Sequence, residues 1–420
     1  MPRVTSLPNG LTVVTSEMPH RSSVSLGLWV GVGGRFEPAE LSGASHFIEH
    51  LLFKGTRKRS AKQISQDVEG IGGDLNAFTG EENTCYYSKA RHDKFPELLD
   101  VVMDMFHNSK FERTEIDKER SVIKEELAMY LDQPQHHVQE ILNATLWPDH
   151  PLGRSLTGTE KTLDGLTRAR LLAFQRSNYV ASAAIVAAAG RLKHAQVVRA
   201  VTRFARQFHH GKRPQFLPVS EAQTAPRVNL FTKRTEQTQL ALGIRACSRH
   251  DKRRYALRLL STMLGENMSS RLWQVIREDR GLAYSISSGL SFFDDVGALT
   301  ISAGLDTENL ELVLKLIAQE LRRFAETAPM PGELRRARDY VIGQIELSLE
   351  STTNQMMWLG EQMLAYGKII SPREAERHLC AVTPGQIRAA ARDFFRPERL
   401  NLALVSPLKK APSLARWLEN

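Results

Sequence analysis

From Val24 to Val32 the chain reads VSLGLWVGV, with Val24, Leu26, Leu28, Val30 and Val32 alternating with mostly small residues. A period of two over that length predicts a strand with one buried face. Next comes GASHFIEHLLFKGT, Gly43 to Thr56, which has the apolar content and length of a core helix ending near Gly55, yet carries two histidines and a glutamate. Ser60 is placed to cap a further helix that stops at Gly72 and Gly73. DLNAF and TCYYSKA then read as two strands, followed by two long helices over His92 to Asn108 and Glu112 to Leu131.

The second half repeats this order. GLAYSISSGLSFFDDVGALTISAGL predicts two strands, and DTENLELVLKLIAQELRRF the helix after them. TRARLLAFQRSNYVASAAIV, Thr167 to Val186, is similar to TPGQIRAAARDFFRPERLNL, Thr383 to Leu402, each a helix running into a final strand. Internal similarity over about 200 residues points to duplication of an α+β domain rather than to a short-period solenoid. The stretch FHHGKRPQFLPVSEAQTAPRV between the halves is rich in proline and polar residues and has no periodicity, which marks a linker. The expected division is a first domain over 1–208, a linker over 209–227 and a homologous second domain over 228–420.

Composition narrows the classes. With 420 residues, 42% hydrophobic and 25% charged, the chain is globular and long enough for more than one domain. The 56 basic and 47 acidic residues leave a charge of +9, but the two signs are interspersed, which describes a mixed solvated surface and gives no basis for nucleic-acid binding. Cys85, Cys247 and Cys380 are few, far apart and odd in number, so they form neither a disulfide framework nor a thiolate metal site, and a reducing compartment fits. The beginning, MPRVTSLPNGLTVV, has no charged segment followed by an apolar one, and no apolar run approaches the roughly 18 residues of a membrane span. A cytoplasmic protein without a membrane span is the expectation.

The ionisable residues of Gly43–Thr56 are spaced for chemistry. On a helix, residues i and i+4 share a face and i+3 lies beside them, so His46, Glu49 and His50 point one way while Phe47, Ile48, Leu51 and Leu52 cover the other sides. Two imidazoles one turn apart can bind one zinc ion, and a neighbouring glutamate can accept a proton from metal-bound water. This HxxEH order reverses the commoner HExxH. A catalytic zinc site needs a third protein ligand. The helix ERTEIDKERSVIKEELAMYLD offers Glu119 and Glu126, seven apart and on one face, with Glu125 about 100° away, and spacing alone does not choose between the first two.

Taken together, GASHFIEHLLFKGT, GGDLNAFTGEENTCYYSK, ERSVIKEELAMY and SRLWQVIREDRGLAYS resemble the pitrilysin-like (inverzincin, HxxEH) zinc peptidases. Within them the chain is similar to the short-chain group of mitochondrial processing peptidase and its bacterial homologues, over nearly its whole length. The resemblance implies Zn2+ held by His46, His50 and Glu126, with Glu49 as general base and Glu119 supporting the ligands. It implies that the segment around Asn76 and Ala77 is an edge strand aligning a peptide substrate in extended form, and that Arg277 and Tyr284 contact that substrate. It implies two homologous domains of antiparallel-rich sheet with packed helices, together half of a clam-like chamber. The second domain is a non-catalytic copy, because Ala256, Leu259 and Leu260 stand where its metal motif would fall.

Members that select an arginine near the cut use acidic residues soon after the third ligand; here His136 and Glu140 match, so Glu140 alone remains for a basic subsite. His20, His136, His137 and His150 match no role and are expected to be surface or structural residues. Members of this length pair two chains, so a homodimer is expected, with a heterodimer as the other arrangement. Some members are non-catalytic or partner-dependent subunits of processing peptidases or respiratory core complexes. Those lose a histidine or the glutamate of the motif, whereas this chain keeps all three.

Overall fold

The computed structural model describes residues 2–220 and 222–410. Strands β1 (Arg3–Ser6) and β2 (Thr12–Glu17) form a hairpin, with Gly10 at φ +93° where a side chain would be strained. The alternating stretch becomes β3 (Ser23–Val30), followed by α1 (Ala44–Leu52), α2 (Ala61–Glu69), β4 (Asp74–Thr79) and β5 (Thr84–Arg91). Then come α3 (Phe95–Asn108), α4 (Arg113–Asp132), α5 (Pro134–Leu146), α6 (Glu160–Gly165), α7 (Arg168–Asn178), β6 (Ala184–Gly190) and α8 (His194–Thr202). The second half opens with β7 (Arg227–Thr232), β8 (Thr238–Ala246) and α9 (Arg254–Gly265), and continues with β9 (Ala283–Phe292), β10 (Gly297–Leu305) and α10 (Leu310–Glu326). It ends with α11 (Pro331–Ser348), α12 (Thr352–Tyr366), α13 (Pro372–Cys380), α14 (Pro384–Phe394) and β11 (Leu400–Ser406).

The expected elements are present, with shifts at their ends. Ser60 caps α2 reciprocally with Gln63, and the helix ends at Glu69, short of Gly72, because Gly70 closes its last turn. One sheet has the order β1-β2-β6-β3-β5-β4 and the other β7-β11-β8-β10-β9. In the first, β2 pairs parallel to β6 and the remaining pairs are antiparallel. In the second, β7 pairs parallel to β11 and again the rest are antiparallel. Two sheets with the same pairing scheme establish the α+β class and the repeat read from the sequence.

One sequence expectation needs correction, and the compact units group the chain differently from the division read in the sequence. The strand at Val24 was expected to bury one face, but seven of its eight residues are buried. Val24, Leu26, Leu28 and Val30 face the core that contains α1 and α3, whereas Trp29 faces Met356, Leu359, Met363 and Leu364 of α12. The small residues between the apolar positions of β3 therefore admit a helix rather than water. The contiguous split at 208 and 228 also differs from the compact units observed. One comprises 1–127, 154–217 and 346–370; the other comprises 128–153, 218–345 and 371–420. The physical reason is that α12, late in the chain, covers the second face of the first sheet. In the other unit, Val138, Ile141, Leu142 and Leu146 of α5 cover Ala241, Ala298, Ala403 and Val405 of the second sheet. Among the described residues of the expected linker, 209–220 and 222–226 carry no helix or strand and Arg227 already opens β7, yet the segment is pinned: Arg213 donates to the Leu364 carbonyl in one unit, and the Val219 amide to Asp295 in the other.

The fit of α12 depends on glycine. A Cβ at Gly360 would lie 2.1 Å from Nε1 of the buried Trp29 indole. Replacing a helical glycine with alanine ordinarily stabilises by up to about 1 kcal/mol, but here the indole or the helix must move. Gly360→Ala is expected to destabilise the protein by about 1–3 kcal/mol, read as a lower thermal midpoint; an unchanged or raised midpoint would contradict this packing.

Candidate metal and catalytic centre

The helix that carries the histidines begins without a side-chain cap of its own. Gly43 precedes it in the left-handed region, at φ +94°. Glu37, 3% exposed, supplies the missing acceptor: its carboxylate accepts from the Gly43 amide at 2.7 Å and the Ser45 amide at 2.6 Å. A negative group at a helix N-terminus satisfies unpaired amides and complements the helix dipole. Burial pushes the Glu37 carboxyl up to about 7, while the two amide donors pull it down. Phe47, Ile48, Leu51 and Leu52 fix the rotation of α1 by burying their faces. His46, Glu49 and His50 are left on the remaining side, each half-buried.

Facing them is α4, held by buried Ile116, Ile123 and Leu127. The Nε2 atoms of His46 and His50 lie 3.9 and 3.7 Å from Oε2 of Glu126. The imidazole centroids are 4.6 Å apart. His50 Nδ1 meets Oε2 of Glu119 at 3.1 Å, and the other Glu119 oxygen takes the Lys54 ammonium at 2.8 Å. Glu125, which shared no face with the other two glutamates, is exposed. The structure thus makes the choice that spacing left open: Glu126 lies against both imidazoles, and Glu119 lies behind one of them.

The donor set fits a zinc ion. One ligand atom each from His46, His50 and Glu126 lies within 4.8 Å of the others. Tetrahedral zinc with bonds near 2.0–2.2 Å needs donors about 3.3–3.6 Å apart, so only small side-chain adjustments separate these residues from a ligand shell. Burial, with His50 beside it, pushes His46 down to about 4, so at neutral pH it offers a lone pair rather than a charge. Glu119 engages His50 through Nδ1, which leaves Nε2 for a metal.

Glu49 has a different environment from these three residues. Burial raises its carboxyl above the ordinary range, the Thr79 hydroxyl donating to Oε2 and the nearby His50 lower it, and Glu126 raises it. Thr79 closes β4, which occupies the edge of the first sheet and among the described residues pairs only with β5. Asn76 is exposed, and its side-chain oxygen accepts from the Ala77 amide at 2.8 Å. That amide therefore faces away from β5, and alternation along an antiparallel strand turns the backbone groups of Leu75, Ala77 and Thr79 to the open edge.

The remaining predicted residues lie in the second unit. Arg277 stacks on Trp273 at 4.1 Å, with the Tyr284 ring 5.7 Å away, and Tyr284 is 76% exposed. Trp273–Glu278 is a π-helical turn, an uncommon conformation frequent at functional sites. Glu140 sits on α5 with an oxygen 4.0 Å from His137 Nδ1. His137 is buried against Phe231, whereas His20 and His136 are exposed. Ala256, Leu259 and Leu260 are buried core residues of α9, with no metal-binding atom among them. Sequence reasoning missed Glu37, Lys54 and Thr79. Only Lys54 had a visible signal, as the next step of four after His46 and His50.

Two repeated α+β halves, the first with an HxxEH helix and a glutamate opposite it, define the class as that of metallopeptidase-type domains. A family model described as Insulinase (Peptidase family M16) matches residues 12–160, and one described as Peptidase M16 inactive domain matches residues 165–341. A Streptomyces coelicolor protein named an uncharacterized zinc protease is 40% identical over 413 residues, 97% of this chain and 90% of its own. A Bacillus subtilis protein of like name is 35% identical, covering 96% of this chain and 98% of its own. A solved protease from Helicobacter pylori superposes with a TM-score of 0.91 at 21% identity, over 97% of this chain and 99% of that one, a likeness of fold. The chain belongs to the M16 (insulinase) peptidase family, as its motifs implied.

If Glu37 caps the motif helix, Glu37→Ala leaves two buried amides without an acceptor, at about 1–3 kcal/mol each. Hydrogen exchange is expected to accelerate selectively in α1; unchanged protection there would remove this role.

Proposed function

We propose that this chain is a zinc metalloendopeptidase that hydrolyses unstructured peptides or presequence-like segments held in extended form. The observation that carries the reading is the convergence of His46, His50 and Glu126 with Glu49 one residue before the second histidine. The relatives named zinc proteases support it. When bound there, a zinc ion supplies a Lewis acid that lowers the pKa of a coordinated water and polarises the scissile carbonyl.

The chain's own residues do the rest. Glu49, raised by burial, is a base whose conjugate acid is strong enough to return the proton to the leaving amine. The Thr79 hydroxyl holds one of its oxygens, which orients the other. A peptide added to the open edge of β4 is held through its backbone, so affinity carries little demand on side-chain sequence. Arg277, charged and already stacked on Trp273, is assigned to a peptide carbonyl or carboxylate, and the Tyr284 hydroxyl to the developing oxyanion. Glu140 is assigned to basic side chains of the substrate. A homodimer in the cytoplasm completes the proposal. Among the described residues no helix is long and apolar enough to cross a membrane.

The direct test is mass-spectrometric mapping of cuts in a mixture of unstructured peptides by zinc-loaded protein and by Glu49→Gln. Cuts made by the first and lost in the second are expected; no cuts by either would point to a non-catalytic subunit. A second test uses pH. The Thr79 hydroxyl stabilises ionised Glu49, so Thr79→Val should raise that carboxyl further. Because the base acts ionised, the acidic limb of the kcat/KM profile should move to higher pH; a limb that stays or moves down would refute the Thr79–Glu49 coupling.

A further inference from the structure

On α1 and the turn after it, His46, His50 and Lys54 follow at intervals of four, one stripe along the helix. Lys54 stays on that stripe because the chain continues in a tightened turn, the Phe53 amide bonding to the His50 carbonyl at 3.1 Å and the Lys54 amide to the Leu51 carbonyl at 3.1 Å. On α4, Glu119 and Glu126 form a second stripe, seven apart. The stripes mesh in antiparallel order: His46 and His50 against Glu126, His50 and Lys54 against Glu119.

We propose that Lys54 is a positioning residue for the metal centre. Its ammonium holds one oxygen of Glu119, so that the other accepts the Nδ1 proton of His50 and Nε2 is presented as the ligand atom. The inference rests on reading His46, His50 and Glu126 as metal ligands. Glu119 has 5% of its side chain exposed, and each of its oxygens has one polar partner among the described residues. A buried carboxylate that loses a charged partner is left uncompensated, and it turns to whatever donor remains. Lys54 is 33% exposed, so its own charge stays in contact with water while it compensates the glutamate. Its position after the last turn of α1 also suits a cation at a helix C-terminus.

A positioning role predicts a change in metal affinity that passes through Glu119. The test is competition for zinc between a chromophoric chelator and the metal-stripped full chain, comparing wild type, Lys54→Met, Lys54→Arg and Glu119→Gln, and each Lys54 change combined with Glu119→Gln. Removing a residue that orients a metal ligand typically costs about 10–100-fold in affinity, so Lys54→Met should weaken zinc binding at least about tenfold and Lys54→Arg much less. In the Glu119→Gln background, Lys54→Met should add little. Circular dichroism of the metal-free forms separates this from misfolding. Should Lys54→Met fail to fold, Lys54→Gln takes its place in the same cycle, with the same expectation. Wild-type affinity in Lys54→Met, or an undiminished loss beside Glu119→Gln, would overturn the proposal. A wild-type chain that binds no zinc overturns the ligand reading and this inference together. One that binds zinc and cuts no peptide removes the proposed activity while leaving the affinity cycle to decide on Lys54.

Discussion

The centre of this protein depends on the partial burial of ionisable groups on one helix. His46, Glu49 and His50 sit on α1 because the rest of that helix is apolar and must pack, and packing takes the polar face partly out of water as well. Ionisable groups removed from water need partners or a change of protonation. Glu119 and Glu126 answer for the histidines, Thr79 for Glu49, and Glu37 for the amides at the helix start. The same desolvation that makes the stripe costly keeps His46 neutral and makes Glu49 more basic than a surface carboxylate. The features useful for metal binding and proton transfer thus arise from the packing of an apolar helix.

Rigidity around that helix comes from the way the sheets are covered. Each sheet has two apolar faces, and a half with a single helical layer would leave one of them in water. The covering helices, α12 for the first sheet and α5 for the second, come from the opposite halves of the sequence. The parts of one unit are therefore tied through distant chain segments, and Trp29, fitted between Gly27 and Gly360, marks how closely α12 approaches β3.

The duplicated design also separates roles. The first unit places an open strand edge beside an activated carboxylate, linked through Thr79. In the second, α9 follows the strand corresponding to β3, as α1 does in the first, but apolar residues fill the positions of the motif. In its π-helical turn the Arg277 guanidinium lies over an indole with no carboxylate beside it among the described residues. A repeated fold can keep its topology without the HxxEH motif because the sheet pairing rests on the backbone and the apolar pattern, neither of which involves the motif.

What the sequence determined by itself is what local periodicity can encode. The helix bearing His46, Glu49 and His50, the strands on either side of the turn at Gly80, the long acidic helix and the repeat were all legible, because periods of 2.0 and 3.6 fix which residues share a face. Helix spacing offered Glu119 and Glu126, and the family resemblance implied Glu126 as the ligand with Glu119 in support. Tertiary structure alone decided that Glu126 meets both imidazoles, that Lys54 and His50 share Glu119, and that Thr79 reaches Glu49. It alone decided that β3 buries both faces and that the units are discontinuous. These are contacts between elements far apart along the chain, set by which apolar surfaces find each other. The alternation of one strand shows that a face is apolar, but it carries no record of which distant helix will cover it.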